Sequence, residues 1–145
     1  MKRFVKEILQ DKGTEVVTVA ATQKVAEALK RMAEANIGAV VVTGEGGEMA
    51  GIFTERDYAR KVIGKGPDPL GIPVSEYMTA VVVTVDPDRR VDDCMALMTD
   101  KRCRHLPVLE DGKLSGLISI GDLVKASLEE KECLIKQLTE YIQYP

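Results

Sequence analysis

Apolar positions along the chain alternate between continuous runs and a helical stripe, and the order occurs twice. "VVTV" (16–19) and "AVVV" (39–42) are aliphatic runs of the kind found in strands buried on both faces. Between them Val25, Ala28, Leu29, Met32 and Ala33 recur at helical spacing, predicting an amphipathic helix that stops near Asn36–Gly38. A glycine-rich turn then joins "AVVV" to "MAGIF" (49–53) as a hairpin, and a second helix starts at Thr54 through "ERDYARKVI". The later half predicts a strand at Val82–Val85, a helix at Arg89–Lys101, strands at Leu106–Leu109 and Leu114–Ser119, and a helix from Gly121.

One constant offset relates the halves. It carries "VVTV" (16–19) to "VVTV" (82–85), Val25 to Val91, Ala28 to Cys94, Leu29 to Met95, Met32 to Met98, and "GAVVV" (38–42) onto "RHLPV" (104–108). Past the hairpin turn the offset is one residue shorter, taking Gly51 to Gly116 and Asp57 to Asp122, a deletion that the turn absorbs. Each half is therefore strand–helix–strand–strand–helix. At about 60 residues one half is marginal as an independent core, which accounts for the pairing.

The segment "GKGPDPLGIP" (64–73) has three prolines and three glycines and reads as an irregular linker. "VSEYMT" (74–79) follows it, and "VKEIL" (5–9) shares its V-x-E order, so each half has a short helical lead-in. "SLEEKECLIKQLTEYIQ" (127–143) reads as an amphipathic helix with Leu128, Cys133, Leu134, Leu138, Tyr141 and Ile142 near one stripe. The expected division is residues 1–65 for the first repeat with its lead-in, 66–129 for linker and second repeat, and 130–145 for the terminal helix.

Composition narrows the function. The chain of 145 residues is 45% hydrophobic and 30% charged, as in an ordered globular protein. A net charge of −3 with both signs intermixed speaks against nucleic-acid binding. No apolar run reaches the roughly 20 residues of a membrane span and no signal-peptide pattern opens the chain, so a cytoplasmic location is expected. Cys94, Cys103 and Cys133 lack C-x-x-C spacing and His105 is the one histidine, so no metal site is expected. The thiols read as reduced and packed, with a regulatory disulfide as the alternative.

Two heptads stand at equivalent places, "GIFTERD" (51–57) and "GLISIGD" (116–122). Thr54 with Asp57, and Ser119 with Asp122, have the spacing of a capping box that starts a helix. The same helix start presents free N–H groups and a positive dipole end suited to phosphate. Cap and ligand site are compatible, and both readings stand.

Paired strand–helix–strand–strand–helix units, each closing on G-h-h-[ST]-x-x-D, resemble a tandem of cystathionine β-synthase (CBS) domains, a Bateman module. "RHLPVLEDGKLSGLISIGDLV" (104–124) and "GIFTERDYAR" (51–60) carry the resemblance, which covers almost the whole chain. It implies an α/β (α+β) fold of two pseudo-symmetric β-α-β-β-α motifs packed through their sheets, with a C-terminal helix. It also implies a regulatory, non-enzymatic unit binding AMP, ADP, ATP, NAD or S-adenosylmethionine in clefts between the motifs, commonly as a homodimer acting on a separately encoded protein. The alternative is a structural interaction module with vestigial clefts. An enzyme is disfavoured by the single histidine and the absence of a phosphate-cradling G-x-x-x-x-G-K-[ST] loop.

The resemblance assigns Asp57 and Asp122 to ribose, and Thr54 and Ser119 to phosphate. Adenine would lie against Thr18, Val19, Ala20, Ala39 and Val40 in the first half, and against Thr84, Val85, Asp86, His105, Leu106 and Pro107 in the second. The valines and Leu106 read as core by their side chains, leaving their backbone for the ligand. "KRCRH" (101–105) is either a solvated helix end or a phosphate contact through Arg104 and His105. Arg56 is the nearest equivalent in the first half. Neither the particular adenosine ligand nor the number of occupied clefts follows from the sequence.

Overall fold

A computed structural model describes residues 3–143. The expected division also takes in residues 1, 2, 144 and 145, which lie outside the described residues. The chain forms two compact units, and they do not follow sequence order. One is Glu15–Val82; the other combines the residues before Glu15 with those after Val82.

In the unit Glu15–Val82, strand β1 (Thr18–Ala20) is followed by helix α2 (Val25–Ala35), strand β2 (Ala39–Thr43), strand β3 (Met49–Thr54) and helix α3 (Glu55–Lys61); helix α1 (Val5–Lys12) precedes them in the chain. The sheet order is β1-β2-β3, with β1 parallel and β3 antiparallel to β2. Central β2 carries Ala39, Val40, Val41 and Val42, none more than 1% exposed, as its unbroken aliphatic run requires. Helix α2 buries Val25, Ala28 and Met32 and stops at Asn36 in the left-handed region, φ 54°, with Ile37 N–H donating to Met32 O at 3.0 Å.

The other unit holds α1, helix α4 (Val91–Lys101), strand β4 (His105–Glu110), strand β5 (Lys113–Ser119) and helix α5 (Ile120–Gln143). Helix α4 stops at Arg102, again left-handed at φ 53°. The β4–β5 hairpin turns on Asp111 and Gly112, both at positive φ, as a tight two-residue turn demands. Each hairpin has an irregular register at the corresponding place, Val42/Thr43 and Val108/Leu109, so the duplication extends to the bulge.

The strand expected at Val82–Val85 is reduced to a single parallel bridge, Val85 with Val108. Val85 N–H donates to Pro107 O at 3.1 Å and Leu109 N–H donates to Val85 O at 2.9 Å. The reason is Pro107. It occupies the place of Val41, whose N–H donates to Val17 O at 3.1 Å, and proline has no N–H to donate to Val83. The helices expected at Arg89 and Thr54 begin at Val91 and Glu55, and α3 passes into a tighter turn at Val62–Lys65. The helix from Gly121 and the terminal helix are one continuous α5, anchored by Leu123 and Ala126. No described helix is long and apolar enough to cross a membrane.

The lead-ins are exchanged between repeats. Helix α1, expected with the first repeat, packs Val5, Ile8 and Leu9 into the core of the second with Val91, Leu106 and Ile118. Val74 and Tyr77 pack into the core of the first repeat with Val25, Val40 and Phe53. The residue two positions ahead of each lead-in also caps the host helix. Lys24 and Arg90 precede α2 and α4 without a side-chain cap; instead Val25 N–H donates to Ile72 O and Val91 N–H to Arg3 O, both at 2.9 Å.

The heptad glycines make room for these lead-ins. A Cβ on Gly51 would lie 2.6 Å from Thr79 O and 2.8 Å from Met78 Sδ, and one on Gly116 would lie 2.7 Å from Leu9 Cδ2. The obstacle at Gly51 includes backbone, whereas Leu9 is a side chain that can shift. Gly51→Ala is therefore expected to destabilise by roughly 1–3 kcal/mol and Gly116→Ala by less. Thermal melts should also show Leu9→Ala suppressing much of the Gly116→Ala loss but none of that from Gly51→Ala.

Candidate functional site

Both heptads close as capping boxes. Asp57 N–H donates to Thr54 Oγ1 at 3.0 Å, and Thr54 N–H donates back to Asp57 Oδ2 at 3.0 Å. Asp122 N–H donates to Ser119 Oγ at 3.2 Å, and Ser119 N–H donates to Asp122 Oδ2 at 2.8 Å. In each case the strand runs straight into the helix, so an extended residue with a short hydroxyl satisfies the first turn.

The remaining capacity of each aspartate is drawn on by an exchanged lead-in. Thr79 Oγ1 donates to Asp57 Oδ1 at 3.2 Å, and Lys61 Nζ stands 3.8 Å from the same oxygen. Lys12, the last residue of α1, donates to Asp122 Oδ2 at 2.7 Å and to Leu117 O at 2.8 Å. Burial alone would raise the Asp122 pKa; the bonds from Lys12 and Ser119 outweigh it, and the carboxyl titrates below its ordinary value.

Around Asp122 the second repeat gathers His105, which pairs in register with Ser119, and Arg104, whose carbonyl accepts Ile120 N–H at 2.8 Å. Arg104 is exposed and His105 half-buried. Burial lowers the His105 pKa, with Lys12 and Arg104 adding to the shift and Asp122 opposing it. In the first repeat the corresponding places are Ala39, paired with Thr54, and Gly38, whose carbonyl accepts Glu55 N–H at 3.1 Å. Arg56 is exposed on the first turn of α3. The cationic cluster thus belongs to the second repeat.

The expected adenine residues divide by atom. Val19, Ala39, Val40, Val85 and Leu106 are 5% exposed or less, so their side chains are core; Pro107 is buried with them. Ala39 and Val40 precede the stretch of β2 that pairs with β1, which begins at Thr18↔Val41. Some backbone of the first repeat is already engaged: Thr18 O accepts Arg31 Nη1 at 2.5 Å, and Ala20 N–H donates to Gln23 Oε1 at 2.8 Å. The counterpart of Arg31 is Leu97, which has no donor for the half-buried Thr84. A cleft of about 560 Å³ lined by Lys6, Gln10, Thr14, Asp86, Asp88 and Asp111 lies elsewhere; among the expected residues only Asp86 borders it.

Lys12 and Thr79 escaped sequence reasoning. The matching lead-ins marked their neighbourhoods, but nothing in the order of residues says which repeat each lead-in joins. Among the described residues no group of three His, Cys, Asp or Glu side chains could hold a metal ion. Burial pushes the Cys94 thiol up to about 11, which makes it a packed apolar group rather than a reactive one.

The CBS domain family model matches residues 5–64 and 74–129. The chain is 46% identical to a crystallised CBS-domain containing protein from Agrobacterium tumefaciens, with TM-score 0.84, covering 88% of this chain and 95% of that one. A crystallised protein with CBS domains from Burkholderia ambifaria is 50% identical, TM-score 0.82, over 87% of this chain and 94% of its own. A mitochondrial CBS domain-containing protein of Arabidopsis thaliana is 43% identical over 81% of this chain, which spans 59% of that relative's length. Two CBS structures at 24% identity share the fold, TM-scores 0.78 and 0.72; one was solved with 5′-methylthioadenosine and S-adenosyl-L-methionine, the other, from Pyrobaculum aerophilum, with AMP.

Because His105 is the one histidine, its ring protons give a single assignable titration. By NMR its midpoint should fall below the ordinary value of about 6.5. Lys12→Met should move it upward, since the ammonium opposes a second positive charge. The depressed pKa contributes stability that is present above about pH 6.5 and is lost as pH falls through the folded-state value.

Proposed function

The chain belongs to the CBS-domain family, and we propose that it is a non-enzymatic regulatory module that binds an adenosine-containing ligand. The observation that carries this reading is Asp122. Its carboxylate is kept ionised at a helix start, Oδ2 takes the cap and Lys12, and Oδ1 is left for a ribose hydroxyl. Ser119, Arg104 and His105 surround the same helix start and face phosphate; Thr84, Val85, Leu106 and Pro107 provide the adenine side. Thr54, Arg56 and Asp57, with Thr18, Val19, Ala20, Ala39 and Val40, form the corresponding but less cationic set.

Relatives of the same fold crystallised with AMP and with S-adenosyl-L-methionine support this ligand class. Regulation requires that the ligand bind one conformation of the module more tightly than another, since equal affinity shifts nothing. We further propose that the module acts as a homodimer held through α5 and controls a separately encoded protein. Leu128, Ile135 and Ile142 recur at heptad spacing, Val124 precedes the first, Leu138 lies between the last two, and all five are exposed. A second α5 satisfies that seam with the same geometry on both sides.

Calorimetric titration with AMP, ATP, NAD and S-adenosylmethionine should give heat with at least one, and Asp122→Ala should weaken it about tenfold or more. Absence of heat with all four would overturn the ligand reading. Separately, Ile135→Glu with Leu138→Glu should halve the mass measured by light scattering without lowering the melting temperature of the folded units. An unchanged mass would remove α5 as the interface.

A further inference from the structure

We propose that Lys12 is the specificity-determining residue of the Asp122 site, selecting a phosphorylated adenosine ligand over a sulfonium one. The inference rests on the adenosine-ligand reading above and narrows it. Lys12 is exposed, yet its ammonium is not free. Its Nζ is held by two acceptors, Asp122 Oδ2 at 2.7 Å and Leu117 O at 2.8 Å, both at the junction of β5 and α5. An ammonium has three donors, so one is left beyond those two.

The surrounding charge points the same way. Lys12 and Arg104 both disfavour a charge on His105 and Asp122 favours it, so these groups share one region. The first repeat differs at each place: glycine stands for Arg104, alanine for His105, and the lead-in presents the uncharged Thr79 to Asp57. Lys61 there is directed to Tyr77 O at 2.7 Å and stands off from Asp57 at 3.8 Å. The two aspartates are therefore set in unlike fields, although the heptads that carry them match.

A ribose held by Asp122 places its 5′ substituent near the same helix start. A phosphate there meets Lys12, Arg104 and the helix dipole favourably. S-adenosylmethionine places a sulfonium there, a fixed positive charge next to fixed positive charges. Adenosine, with an uncharged 5′ hydroxyl, is the neutral reference.

The test is calorimetry on the full chain with AMP, adenosine and S-adenosylmethionine, using wild type, Lys12→Met and Lys12→Arg. Wild type is expected to bind AMP at least about tenfold more tightly than either other ligand. Lys12→Met should remove most of that preference while leaving adenosine within about threefold, and Lys12→Arg should restore it. Thermal melts of each variant report whether loss of the Asp122 contact has unfolded the unit; Lys12→Arg keeps the test alive if Lys12→Met does. Equal binding of AMP and S-adenosylmethionine by wild type, or a parallel loss of AMP and adenosine in Lys12→Met, would overturn the role of Lys12 and leave the ligand reading intact. No binding of any of the three would overturn the role of Lys12, and the ligand reading falls with it if ATP and NAD also give no heat.

Discussion

The packing of each lead-in against the other repeat's heptad is the constraint on which the rest of the structure depends. Leu9 lies against Gly116, and Met78 with the Thr79 carbonyl against Gly51, closer than any side chain there would permit. These segments bury Val5 and Val74 completely, and the residues just ahead of them, Arg3 and Ile72, give up carbonyls to the first turns of α4 and α2. The segments also place a donor on each heptad aspartate. One short stretch therefore completes a core, caps a helix and reaches the candidate ligand atoms. A half without the lead-in from the other half would have an open core and an uncapped helix.

The heptad joins two demands in one arrangement. Its glycine accommodates the lead-in, its apolar residues enter the core, and its hydroxyl and carboxylate close a capping box. A carboxylate has more acceptor capacity than a capping box consumes, and the lead-in residue decides what remains. Thr79 contributes a neutral hydroxyl and Lys12 a charge, so two chemically matching motifs sit in different electrostatic settings.

Much of this was legible beforehand because it depends on near neighbours. The stripe Val25, Ala28, Met32 and the run Ala39–Val42 specify a helix and a central strand from spacing alone, and both are buried as expected. The capping boxes were readable for the same reason. Val82–Val85 was misread because its apolar character matches a strand, while the obstacle is the missing N–H of Pro107, far along the chain. Lys12 was missed for a related reason: a lysine closing a short helix is unremarkable until Asp122 is seen beside it.

The amino-acid order by itself determined the duplication, most element types and the heptads with their capping boxes, since each of these follows from local periodicity and repeated spacing. Only the tertiary structure decided which repeat each lead-in completes, and so which cation meets which carboxylate. The two lead-ins match in their apolar residues, and hydrophobic burial is non-directional. The pairing is settled instead by contacts across long stretches of chain, Leu9 with Gly116 and Lys12 with Asp122, which no local pattern encodes.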